Sequence, residues 1–157
     1  MARMIPPQIG LHSDPPPGEE MLFGRFREAP ETEEWIVLHS LDVARHRSRI
    51  SGEIDFVLLI PGRGVLCVEV KSHRHIVYDR GRWLYGPEQK QQKDPFQQVR
   101  ETMHSLLDDV KERHADLRQT LFWSSVCFPQ TKFRSHSSDT SSPAWHDWEL
   151  IDAERLE

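Results

Sequence analysis

Long apolar runs are missing from this sequence. No stretch of its 157 residues comes near eighteen consecutive apolar positions, so no segment reads as a membrane span. The first twenty residues, MARMIPPQIGLHSDPPPGEE, hold no apolar stretch of the kind that makes up a secretory leader, and the expectation is a cytoplasmic protein. Cysteine is scarce too. Cys67 and Cys127 each lie inside an apolar run rather than in a ligand spacing, and they read as buried free thiols, not as a disulfide. Positive charge is in deficit, with 20 Lys/Arg against 25 Asp/Glu, which argues weakly against a nucleic-acid binder. The deficit is uneven: residues 45–93 carry ten Lys/Arg against five Asp/Glu. A cationic surface there would suit phosphate contacts.

What is present suffices for one domain with one modest core, since 37% of residues are hydrophobic. Residues 1–17, with Pro15-Pro16-Pro17, read as an extended arm, and 18–157 as the domain. A helix is expected from about Gly18, with Leu22, Phe23 and Phe26 at helical spacing, closed by Pro30. Trp35–Val43 is a β-branched, aromatic run and a strand candidate. After the polar ARHRSRI come two strands around the turn PGRG, then HIVYD and RWLYG as a further hairpin, and GPEQKQQK as a polar loop. Asp94-Pro95 opens the clearest helix, Asp as N-cap and Pro at its first position. Its apolar stripe is Phe96, Val99, Met103, Leu106, Leu107 and Val110. LFWSSVCF follows as a buried strand, FRSHSSDTSSP as a loop and WHDWELI as a short closing segment.

The central stretch GEIDFVLLIPGRGVLCVEVKS, Gly52–Ser72, would be a plain core hairpin but for Asp55, Glu69 and Lys71. Side chains alternate faces with period two. Ile54, Phe56, Leu58 and Ile60 should therefore share one face and Asp55, Val57 and Leu59 the other. On the next strand Glu69 and Lys71 point the same way, with Val70 opposed. Asp55 lies opposite Glu69 only if the loop holds an odd number of residues or a bulge shifts the register. Two carboxylates and a lysine converging at strand ends suit metal-assisted phosphodiester hydrolysis. Asp55 and Glu69 would offer Mg²⁺ a hard oxygen site, with Mn²⁺ as a substitute, and Lys71 would steady charge on the phosphate. Alone, Glu-x-Lys is a weak pattern that also fits a surface ion pair.

The same stretch resembles the core of the nuclease-related domain (NERD), a branch of the PD-(D/E)XK nuclease superfamily. The resemblance runs from about Gly18 to about Leu150 through GEEMLF, the W-x-V-x-H-S strand at Trp35–Ser40, GEID, EVK, the DPFQQ helix start and the strand ending CFP. It implies an α/β, restriction-endonuclease-like core with a central mixed sheet flanked by helices, in the order αβββαβ. It also implies a role in DNA processing. With MARMIPP at its start, the sequence looks most like the form that precedes a superfamily I helicase, so a helicase region in cis or trans is an implied partner. By position, the family's helix-one acid falls on Glu19, with Glu20 the neighbouring alternative. Its helix glutamine falls on Gln98, with Gln97 beside it.

The expected function is a Mg²⁺-dependent deoxyribonuclease with Glu19, Asp55, Glu69, Lys71 and Gln98 as its catalytic set. The rivals are a catalytically silent DNA-binding or partner-docking module and an RNA-directed nuclease. Arg45, Arg47, Arg49, Arg74, Arg80, Arg82, Lys90 and Lys93 are phosphate-contact candidates as a group. His73 and His75 lack a third soft ligand, so zinc is not expected. Trp35, Trp83 and Trp123 read as core, and Glu53 as an edge charge.

Overall fold

The structure, a computed structural model, describes residues 1–10, 14–43, 52–133 and 144–156. The central hairpin positions the site. β3 (Gly52–Ile60) and β4 (Gly64–Val70) pair antiparallel, Phe56 opposite Val68 and Ile60 opposite Gly64. The loop between them has three residues, Pro61 to Arg63. It is odd, as the opposition of Asp55 and Glu69 requires: that pair falls one step beyond Phe56 and Val68. Gly64 has φ +130°, and a Cβ there would lie 2.3 Å from the Leu121 carbonyl oxygen. No side chain fits, because the Val65 N–H donates to that same carbonyl at 2.8 Å.

On one side β3 pairs antiparallel with β2 (Ile36–Val43), and β2 takes β1 (Arg3–Ile5) in parallel. The proline-rich arm therefore contributes a strand, with Ala2 and Met4 buried. On the other side β4 pairs in parallel with β8 (Phe122–Phe128), which takes β9 (Leu150–Asp152) in parallel. The result is a six-stranded mixed sheet. Helix α1 (Pro17–Glu28) covers one face, where Leu22 and Phe23 meet Val37, Phe56, Leu58, Val68, Val70 and Cys127. Helix α2 (Pro95–Arg113) covers the other, where Phe96, Val99 and Met103 meet Val57, Cys67, Val126 and Phe128. Burying each such side chain stabilises the fold by roughly 1.5–3 kcal/mol relative to exposure. Both cysteines are free and buried in these layers.

Helix α2 begins where its sequence dictates. The Asp94 carboxylate accepts from Phe96 N–H at 2.8 Å and Gln97 N–H at 3.3 Å, and Pro95 occupies the position whose N–H is not needed. Arg100 on α2 donates to Glu149 from two nitrogens, Nε to Oε1 at 3.2 Å and Nη2 to Oε2 at 2.8 Å, which ties the closing segment down. A second, three-stranded sheet of β5 (Ile76–Asp79), β6 (Arg82–Tyr85) and β7 (Lys90–Gln92) packs on the α2 side. At its centre Trp83 is 1% exposed, ringed by Tyr78, Phe96, Phe128, Phe133 and Trp145.

Three expectations need correction. Lys90–Gln92, expected as loop, forms β7 by pairing with Trp83–Tyr85; backbone pairing with a neighbour overrides a polar composition. Trp123, expected in the core, is 46% exposed, edge-on to Trp148: it shares a face of β8 with Cys127 but lies outside the cluster that packs under α1. Ile54 does not share a face with Phe56 and Leu58. It packs with Val57 on the α2 side, just as Leu41 packs with Leu38. The cause is Ser40, at φ +54° in mid-strand, where the β2–β3 ladder skips the Ser40–Asp55 pair. Alternation breaks in both strands at that point. FRSHSSDTSSP from Arg134 onward, and the ARHRSRI stretch with Arg45, Arg47 and Arg49, lie outside the described residues.

Candidate active site

Four elements deliver the site: the N-terminus of α1, the kink of β2–β3, the end of β4 and the first turn of α2. At the kink, Asp55 turns out of the ladder, and its Oδ2 accepts the Val70 N–H at 2.7 Å. Burial, and then the charge of Glu69, push its carboxyl up to about 8. Glu69, on β4, is 3% exposed, and burial raises its pKa also, with Lys71 pulling the other way. Lys71 Nζ stands 2.6 Å from Glu69 Oε1 and 3.4 Å from Gln98 Oε1. Of the glutamine pair, Gln98 faces the lysine, whereas Gln97 bonds Glu101 on the helix surface.

Glu19 is likewise chosen over its neighbour. Glu20 is exposed, whereas Glu19 Oε2 lies 2.9 Å from His39 Nε2, with side chains 13% and 8% exposed. The α1 terminus is set by Gly18, whose N–H donates to Ser72 Oγ at 2.9 Å, one residue past Lys71. A Cβ on Gly18 would lie 2.3 Å from that oxygen and 2.8 Å from Pro129 Cγ. Gly18→Ala is expected to destabilise the fold by about 1–3 kcal/mol through overpacking, seen as a fall of several degrees in thermal unfolding.

Of these groups Glu19, His39 and Asp55 line a cleft of about 490 Å³, together with Ser40, Glu53 and Pro6, Gln8, Pro15 and Pro16 of the arm; Asp55 joins that cleft to Glu69 on the neighbouring strand. Glu53, expected as an edge charge, is exposed yet forms part of that lining. A larger groove, about 770 Å³, runs between the end of α2 and the β3–β4 turn. It is mostly apolar and is lined by none of Glu19, Asp55 and Glu69, whereas the smaller cleft is lined by two of them. Of the described basic candidates, Arg80 and Arg82 lie beside Asp79, and Lys90 beside Glu88, on the small sheet. Arg74 and Lys93 are exposed, and none of these five lines the cleft. His73 stacks on Tyr85 at 5.1 Å.

Sequence reasoning missed His39 and Ser72. The signal for His39 was its place as the histidine of the W-x-V-x-H-S strand, to which no role was given; Ser72, a small hydroxyl after a strand, gave none.

The family model described as NERD, nuclease-related domain, matches residues 17–129, from the start of α1 to the end of β8. No curated protein and no solved structure matches the chain.

Proposed function

The chain belongs to the nuclease-related domain family, and from that premise we propose that it is a metal-dependent deoxyribonuclease domain, hydrolysing DNA phosphodiester bonds in DNA processing or repair. One observation carries the reading. Asp55 and Glu69 are carboxylates on adjacent strands, both with raised pKa values, and among the described residues the Lys71 ammonium alone lies against them. Such a pair is tolerated best with a cation between its members.

The donor set fits Mg²⁺, or Mn²⁺ in its place. Asp55 keeps Oδ1 and Glu69 keeps Oε2 when their other oxygens serve Val70 and Lys71. Among the described residues no three of His, Cys, Asp and Glu gather as a ligand set, but Mg²⁺ is commonly held by one or two carboxylates, water and substrate phosphate. When bound, the ion supplies Lewis-acid polarisation of the phosphate and a water acidified toward neutral pH. Lys71 would orient the attacking water and steady the charge that grows on the phosphate oxygens. Gln98 would hold the lysine, and Glu19, which lines the same cleft as Asp55, would support the metal's water.

The test is cleavage of linear, nicked and single-stranded DNA in Mg²⁺, Mn²⁺ or EDTA. Cutting is expected with either ion, lost in EDTA, and lowered about 10²–10³-fold or more in Glu69→Ala. No cutting, with salt-sensitive DNA binding retained in both proteins, would overturn it. That outcome favours a docking module for a partner such as a helicase region, a reading to which the apolar groove beside α2 lends support. Equal cutting of matched RNA would shift the substrate class.

A further inference from the structure

We propose that His39 is a positioning residue: its hydrogen bond fixes the Glu19 carboxylate toward the cleft, and so strengthens divalent-metal binding and turnover. The inference rests on the metal-dependent reading above.

His39 sits in mid-strand on β2, opposite Phe56. Its ring is edge-on to Phe23 at 5.9 Å and tilted on Phe56 at 4.8 Å. Two aromatic walls leave the imidazole little rotamer freedom. Phe23 lies four residues after Glu19, one turn along the same helix face. A single strand residue thus grips α1 twice, through the carboxylate of Glu19 and through the ring of Phe23. A purely structural histidine needs any acceptor to satisfy its buried N–H. This one meets a carboxylate at 2.9 Å that lines the same cleft as Asp55. The bond occupies Oε2 and leaves Oε1 to act. At the next residue the strand enters the left-handed kink beside Asp55, so the ring stands at the joint between two acids of the site. Hydrogen bonds of this kind orient carboxylates near metals, and losing one typically costs 10–100-fold in affinity or activity.

Two variants of the full chain separate the bond from the packing. His39→Phe keeps an aromatic ring between Phe23 and Phe56 and loses the donor; His39→Gln keeps an N–H near Glu19 and loses the ring. Mn²⁺ affinity is read by calorimetric titration, DNA cleavage as kcat and KM, and folding by thermal unfolding. His39→Phe is expected to fold, to bind Mn²⁺ about 10–100-fold more weakly and to lose kcat to a similar extent, with KM for DNA unchanged. His39→Gln should recover most of both. Parent-like Mn²⁺ affinity in His39→Phe, or a defect in His39→Gln as deep as in His39→Phe, overturns the proposal alone. A parent protein that binds no Mn²⁺ overturns the metal-dependent reading and this proposal with it.

Discussion

Asp55→Asn is expected to act in two opposite directions, lowering DNA cleavage about 10²–10³-fold or more while raising the melting temperature of the metal-free protein at pH 8. The second effect follows from linkage. Burial, with Glu69 and Glu19 nearby, lifts the Asp55 carboxyl from 3.8 to about 8 in the fold. Between those values the folded state holds a proton that the unfolded chain has released. Stability from this group is therefore full below about pH 4 and declines as pH rises toward 8, by at most about 1.4 kcal/mol per pH unit. Solvent reaching the cleft reduces the total, to a loss on the order of 3 kcal/mol by pH 8. Asparagine still accepts the Val70 N–H and has no charge to bury. Thermal unfolding at pH 5, 6, 7 and 8 should show the parent falling away from the variant, by about 6–12 °C at pH 8. Saturating Mg²⁺ should restore the parent alone. Parallel curves for the two proteins, with or without Mg²⁺, would sink the idea.

Lys71→Met should be the most destabilising change at the site. Glu69 is 3% exposed and Lys71 is its ion-pair partner at 2.6 Å. Removing one partner of a buried pair typically costs about 3–5 kcal/mol, because the other charge stays behind. The lysine is itself partly open to solvent, so the low end applies, about 3 kcal/mol at pH 8. The sign again sets the pH dependence: without Lys71, Glu69 protonates more readily in the fold, so the loss shrinks as pH falls. Urea unfolding of Glu69→Gln, Lys71→Met and the double variant gives the coupling directly. The double variant is expected to regain most of what Lys71→Met loses, and strict additivity would refute the pairing. Every member of the cycle should be inactive.

Much of this was legible in the sequence, for local reasons. Asp94-Pro95 states its own helix start, because an N-cap and a proline act within one turn. The three-residue turn fixes the β3–β4 register, and with it the place of Asp55 and Glu69 one step beyond the last ladder pair, Phe56 and Val68. Legibility failed where the cause lay elsewhere in the chain. Strand β1 exists only because β2 offers it a parallel partner thirty residues on. Ile54 changed face through a backbone flip at Ser40, which no period-two reading contains. His39 stands in the W-x-V-x-H-S run, but its role is defined by a carboxylate on α1 that the run does not contain. Trp123 has the composition of a core residue, yet it lies outside the cluster that packs under α1.

The shape of the large sheet also bears on solubility in company. Its outer strands, β1 and β9, are three residues each, whereas the β2 strand beneath β1 runs to eight. An open edge of that length would be a template for strand addition between copies of the chain. The proline after Ile5 ends β1, and the Asp152 carboxylate ends β9 by accepting the N–H groups of Glu154 and Arg155. Each of these outer strands therefore offers a neighbour only three residues of backbone, and strand addition along β1 or β9 is blunted.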